Sequence, residues 1–239
     1  MTPKTIHTSR TIMSAELIEV MDFHKENLDY FEIMEDNVFN KKTESSKNNT
    51  INYLTKLYNF KKEDKKFLSL ELYWNTIEDN EKPLLAILFA VSKDYLMQES
   101  VDFVKSVKNN NKASIEEFEA NVQHYHSNRF SPKTLRSVSQ NIASSWKQAG
   151  YILGKIKNIR TVNPPSYFAV AFAFLLAYLD DFRGDYLFDH PSVKALDASK
   201  EELMLLLKSA SERELLNFNR SGASIVISFE QYLKTLKDV

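Results

Sequence analysis

Apolar residues recur along most of this chain at spacings of three and four, and the runs are divided by polar caps and prolines rather than glycines. Ser14 is placed to cap a helix that carries Leu17, Ile18 and Met21 and reaches Leu28; Asp29 to Phe39 continues it or forms a second. Ile51, Leu54, Leu57 and Tyr58 fall at helical spacing, and Phe67, Leu70, Leu72 and Trp74 mark a helix over Glu63 to Ile77. Pro83 suits the first turn of a helix over Leu84 to Leu96 that is apolar nearly all round. Gln98 to Lys108 continues with Val101, Phe103, Val104 and Val107, and Asn109-Asn110-Asn111 is the clearest loop.

After a short helix from Ser114 to His126, Ser131-Pro132 reads as a cap followed by a first-turn proline, and Gly150 as the residue that ends the helix. Between them Leu135, Val138, Ile142, Trp146 and Ala149 form one apolar stripe. Lys133, Arg136, Gln140, Ser144 and Lys147 form a second, polar stripe at the same spacings, flanked by Ser137 and Asn141. Tyr151 to Val162 then turns β-branched, with Gly154 and Asn158 as turn residues and Lys155, Lys157 and Arg160 at or beside the turn. A capped polar-basic helix followed by a basic hairpin is the layout of a winged helix.

The stretch Ser166 to Leu179 is almost unbroken in apolar character, yet as a helix it spans only about 21 Å, short of the roughly 30 Å hydrocarbon core of a bilayer. Pro164-Pro165 precedes it and Asp180, Asp181 and Arg183 follow, so it reads as a buried central helix and not a membrane span. Further on, Ser199 and Glu202 make a capping box, and Ser211 and Glu214 repeat the device for a helix to about Asn217. Ser221-Gly222 is a turn, Ile225 to Ile227 a short strand able to pair with the basic hairpin, and Phe229 to Leu236 a closing helix. This order fits a second, degenerate winged module.

The fold class expected is therefore mainly α: a multi-helix bundle with a winged-helix-like helix and β-hairpin module and a short C-terminal strand. At 239 residues the chain suits an N-terminal helical region, 1–110, and a winged-helix-like module, 111–239, or one compact fold overall. With 43% apolar and 12% aromatic residues it can bury a real core. The absence of cysteine excludes disulfides and thiolate metal sites, and Met1 to Arg10 has no apolar signal core, so a cytoplasmic location is expected.

Charge changes the picture most. Ala120 to Leu179 contains no Asp or Glu but holds Arg129, Lys133, Arg136, Lys147, Lys155, Lys157 and Arg160. Those seven bases leave 24 against 32 acids in the rest of the chain, so the formal net charge of −1 conceals a dipolar molecule. A stretch without carboxylates suits a surface that meets phosphate. Arg136, Gln140 and Lys147 are the candidates for base edges in a major groove, and Lys133, Ser144, Lys155, Lys157 and Arg160 for the backbone. A second basic patch lies between Asn37 and Lys66, with Lys41, Lys42 and Lys47 as its candidate contacts.

Catalytic and metal chemistry is not evident. His124 and His126 are spaced to point to different sides of a helix, and the acid cluster Asp180, Asp181, Asp185, Asp189 with His190 and Lys194 reads as a helix end and loop. No phosphate-binding glycine loop, dinucleotide fingerprint or nucleophile elbow occurs, so neither enzyme activity nor a cofactor is expected.

Three stretches together resemble the BrxA family of BREX phage-resistance systems: Asn37 to Phe60, Pro83 to Val104 and Ser131 to Gly154, the last closing on Ala149-Gly150 and Ile152-Leu153. Lys47-Asn48-Asn49 departs from the arginines expected there. The resemblance implies a mostly helical, NusB-like cytoplasmic protein without catalytic residues that works beside other defence subunits. The expected function is non-catalytic binding of double-stranded DNA within such a complex. The alternatives are a NusB-like RNA-binding factor, stacking bases on Tyr125, Phe130 or Tyr151, and a scaffold whose basic band docks an acidic partner subunit.

Overall fold

A computed structural model describes residues 5–23, 29–154, 157–222 and 224–235. The chain is mainly α-helical, as its periodicity predicts, and carries two small antiparallel hairpins. The first half contributes α1 (Ser14–Phe23), α2 (Tyr30–Glu35), α3 (Glu44–Tyr58), α4 (Lys65–Trp74), α5 (Lys82–Lys93) and α6 (Tyr95–Ser106). Ser14 lies inside α1 rather than capping it, and Leu28 falls outside the described residues. Asp94 ends α5 and caps α6, accepting from the Leu96 and Met97 amides, so a run of apolar residues becomes two helices at one carboxylate.

Two consecutive units follow one order. In the first, α6 leads through an extended segment to α7 (Ile115–Tyr125) and α8 (Pro132–Gln148), then to the hairpin β1 (Ile152–Leu153) and β2 (Ile159–Arg160). The extended segment pairs with β2: the Asn110 amide donates to Arg160 O, the Arg160 amide to Asn111 O, and the Ala113 amide to Asn158 O. The asparagine run read as a loop thus supplies a third edge to the hairpin. Local chemistry explains the borders. Ser114 and Glu117 make a capping box on α7, Ser131 caps α8, and Gly150 follows its C-cap at φ +83°. Gly154 at φ +87° and Asn158 at φ 50° shape the turn between β1 and β2.

The second unit runs from α9 (Tyr167–Leu179) through a 3₁₀ turn (Gly184–Asp189) to α10 (Pro191–Ala195), α11 (Lys200–Ser211) and the hairpin β3 (Asn217–Ser221) and β4 (Ser224–Ser228), closed by α12 (Glu230–Thr235). The 3₁₀ turn lies against β4 as the extended segment lies against β2. Two expectations are corrected here. Residues after Ser211 do not form another helix, because Ser211 Oγ accepts from the Phe218 amide and starts a strand. The strand at Ile225 to Ile227 accordingly pairs with β3, not with the basic hairpin.

One continuous apolar cluster, from Ile6 to Phe229, joins these parts on both sides of Asn109–Asn111. At its centre is α9, whose residues from Ala169 to Ala177 are all buried, and among the described residues no helix is long and apolar enough to cross a membrane. The residues ahead of α1, Thr5 to Met13, form a strap along α8 and α6. His7 Nδ1 meets Asp94 Oδ2 at 2.8 Å and His7 Nε2 meets Ser145 Oγ at 3.0 Å, all fully or nearly buried. This Ser–His–Asp connectivity is a structural pin. Ser145 donates its proton to the Asn141 carbonyl and accepts from the Ile12 amide, and no solvent reaches it.

Burial pushes the Asp94 carboxyl up, but the charge and hydrogen bond of His7, with bonds from Thr5 and the Ile6 amide, outweigh it and hold it below the ordinary range. Asp180, against His190 and Lys66, and Asp197, against Arg160 and Lys105, are likewise depressed despite burial. A carboxylate depressed in the folded state stabilises above its unfolded value and loses that contribution as pH falls through the folded one. The melting temperature should therefore hold from neutral pH down to about 5 and fall increasingly steeply below about 4, the ordinary Asp range. Asp94→Asn should flatten that fall in thermal melts between pH 7 and 3; an unchanged acid limb would show that Asp94 does not contribute.

Candidate nucleic-acid interface

The apolar stripe of α8 is buried throughout, with Trp146 Nε1 donating to Ser100 Oγ at 2.8 Å and its ring edge-on to Tyr151. That anchorage turns the second stripe outward. Lys133 and Gln140 are exposed and Ser144 and Lys147 half-buried, and neither lysine has an ion-pair partner among the described residues. In the hairpin turn beyond α8, Lys157 is exposed, while Lys155 lies outside the described residues. Helix, hairpin and paired extended segment together give the winged-helix-like arrangement.

Arg136 is on the same stripe but not free. Its guanidinium meets Glu116 at 2.7 Å and Glu119 at 3.1 Å, both from α7. The hydrogen bond from Arg136 holds the Glu116 carboxyl below its ordinary range. An acid-free stretch of sequence thus faces two acids in space. Removing both by Glu116→Gln/Glu119→Gln should free Arg136 and tighten duplex DNA binding by about threefold per charge, from screened repulsion at several ångströms. A titration at fixed salt measures it, and unchanged affinity would place Arg136 away from the contact.

Arg160 is a correction. Only 4% exposed, it bonds the carbonyls of Val104, Tyr151 and Thr161 and pairs with Asp197, so no phosphate can reach it. Its β2 position, inward-facing in a two-residue strand, decides this where charge alone suggested a wing contact. Lys47 is a second correction: it is buried and bound by Glu44 at 2.7 Å and Glu35 at 3.2 Å. Lys41 is paired with Glu16 at 2.7 Å, whereas Lys42 is exposed.

Of the aromatic candidates for base stacking, Tyr151 is fully buried and its hydroxyl donates to the Ala195 carbonyl, which removes it. Phe130 is half-buried beneath the Arg129 guanidinium, and Tyr125 is exposed. His126 bonds Glu99 at 2.7 Å, and His190 joins Asp180 while accepting from the Ser192 amide to cap α10. Both histidines are thus committed to protein partners, and no cluster of potential metal ligands occurs among the described residues. No protein family, characterised protein or solved structure matches this chain.

Proposed function

We propose that this protein binds duplex DNA without chemistry of its own, laying α8 in the major groove and the β1–β2 turn on neighbouring phosphate. The observation that carries this reading is a winged order in which α8 presents Lys133, Gln140, Ser144 and Lys147 while its opposite stripe is locked in the core. Gln140 is suited to adenine N6 and N7, and the lysines to guanine edges or phosphate. In the assembly implied by the resemblance, the protein would hold DNA for other phage-defence subunits.

Anisotropy titrations of labelled duplex DNA and matched single-stranded RNA at two salt concentrations test this. Micromolar or tighter duplex binding with a steep salt slope is expected. Preference for the single strand would favour stacking on Tyr125 and Phe130, and binding to neither would leave α8 as a docking face for an acidic partner.

A further inference from the structure

Several lysines of the first half are neutralised locally: Lys41 by Glu16, Lys47 by Glu44 and Glu35, Lys66 by Asp180, Lys82 by Asp22 and Asp79, and Lys93 by Asp64. Arg10 and Lys56 are not. Both are exposed, neither forms an ion pair with a described residue, and both approach one ring. The Arg10 guanidinium lies 5.1 Å and the Lys56 ammonium 5.3 Å from the centroid of Tyr53. The ring face attracts each cation, but gathering two like charges on one ring leaves a repulsion that a bound anion would relieve.

The surroundings suit an anion with a repeating backbone. On α3, Ser45, Asn49, Asn52 and Lys56 recur at four, three and four and are all exposed, a row of small hydrogen-bonding groups that ends in the lysine. Such side chains position phosphate and sugar without reading sequence. The cluster also adjoins α8. Asn141 donates to the His7 carbonyl at 3.0 Å and Gln148 to Thr11 Oγ1 at 2.9 Å, so the strap carrying Arg10 lies along one flank of that helix. At 100° per residue, this flank borders Ser137 and Ser144, the near edge of the outward face. Helix α8, the strap and α3 therefore follow one another across the surface.

We infer that Arg10 and Lys56, gathered on Tyr53 beside the polar row of α3, form a second contact point for the DNA backbone, which the duplex meets as it leaves α8. This contact rests on the duplex-binding reading of α8. It adds affinity and salt dependence but no sequence preference.

The test compares three variants of the full chain against the same duplex across a salt series, with a thermal melt of each to confirm folding. Arg10→Ala/Lys56→Ala should lower the slope of log affinity against log salt by about 1.8, at 0.9 per phosphate contact. Its discrimination between duplex sequences should stay at the wild-type value. Lys194→Ala/Lys234→Ala removes two exposed charges from the second unit and should change the slope much less. A slope for Arg10→Ala/Lys56→Ala equal to wild type, or reduced no more than by that control, overturns the contact. If Lys133→Ala/Lys147→Ala/Lys157→Ala still lowers the slope in that case, the α8 reading stands and only the second contact falls. If the α8 variant binds like wild type while Arg10→Ala/Lys56→Ala does not, the α8 reading falls, and the inferred second contact, which rests on it, falls with it. Absence of duplex binding by the wild-type chain overturns both.

Discussion

Asp197→Ala should lower the unfolding free energy by about 3–5 kcal/mol, the loss expected when one partner of a buried ion pair is removed. Both side chains of the Arg160–Asp197 pair are only 5% exposed, so little solvent screening weakens the effect. Asp197 also accepts from Lys105 at 2.7 Å and from the Asn163 amide at 2.9 Å. It therefore gathers α6, the end of β2 and the segment ahead of α9 onto the entry to α11. Without it Arg160 keeps its carbonyl partners, but its charge is left buried and uncompensated. Urea unfolding of the single variant and of Arg160→Met/Asp197→Leu separates the terms. The double variant should recover much of the loss, because replacing both charges by apolar groups avoids their desolvation. A loss below about 1 kcal/mol for Asp197→Ala, the range of exposed pairs, would show that water reaches the pair.

The second large effect concerns binding. Lys133→Ala/Lys147→Ala/Lys157→Ala should weaken duplex affinity by up to about a hundredfold, from roughly 1 kcal/mol per exposed ionic contact. The salt slope should fall by about 2.7, at 0.9 per contact. None of the three lysines has an ion-pair partner among the described residues, so folding should be little affected. Gln140→Ala should instead leave the slope unchanged and relax discrimination between bases. Arg160→Ala, by contrast, should damage stability rather than binding, since its guanidinium serves the interior. Wild-type affinity and slope in the triple variant would sink the placement of DNA on α8.

The pairing of Arg136 with α7 would refine the proposed binding. The pair is surface-exposed and individually weak, so a phosphate or guanine can replace the carboxylates, but the exchange subtracts from affinity. The free protein is thereby partly self-neutralised at Arg136, while Lys133 and Lys147 of α8, Lys157 in the hairpin turn, and Arg10 and Lys56 around Tyr53 have no ion-pair partner among the described residues.

What the sequence by itself determined is local. The caps Ser131 and Ser199, the terminating Gly150, the buried stripe of α8 and the nine buried residues of α9 depend on neighbours within a turn or two. Hydrogen bonds from a side chain to the next turn, and periodicity of apolar surface, are visible in the order of residues. The outward polar stripe of α8 was legible for the same reason, being the complement of the apolar one. Only the tertiary structure decided which charges are available. Arg160 meets a carboxylate 37 positions away, Arg136 meets acids at 17 and 20, and β4 chose β3 over the basic hairpin. Coulombic pairing and strand pairing act through space between residues that no local pattern connects. Counting cations along the chain therefore located the basic region, while folding decided which members of it are paired with carboxylates.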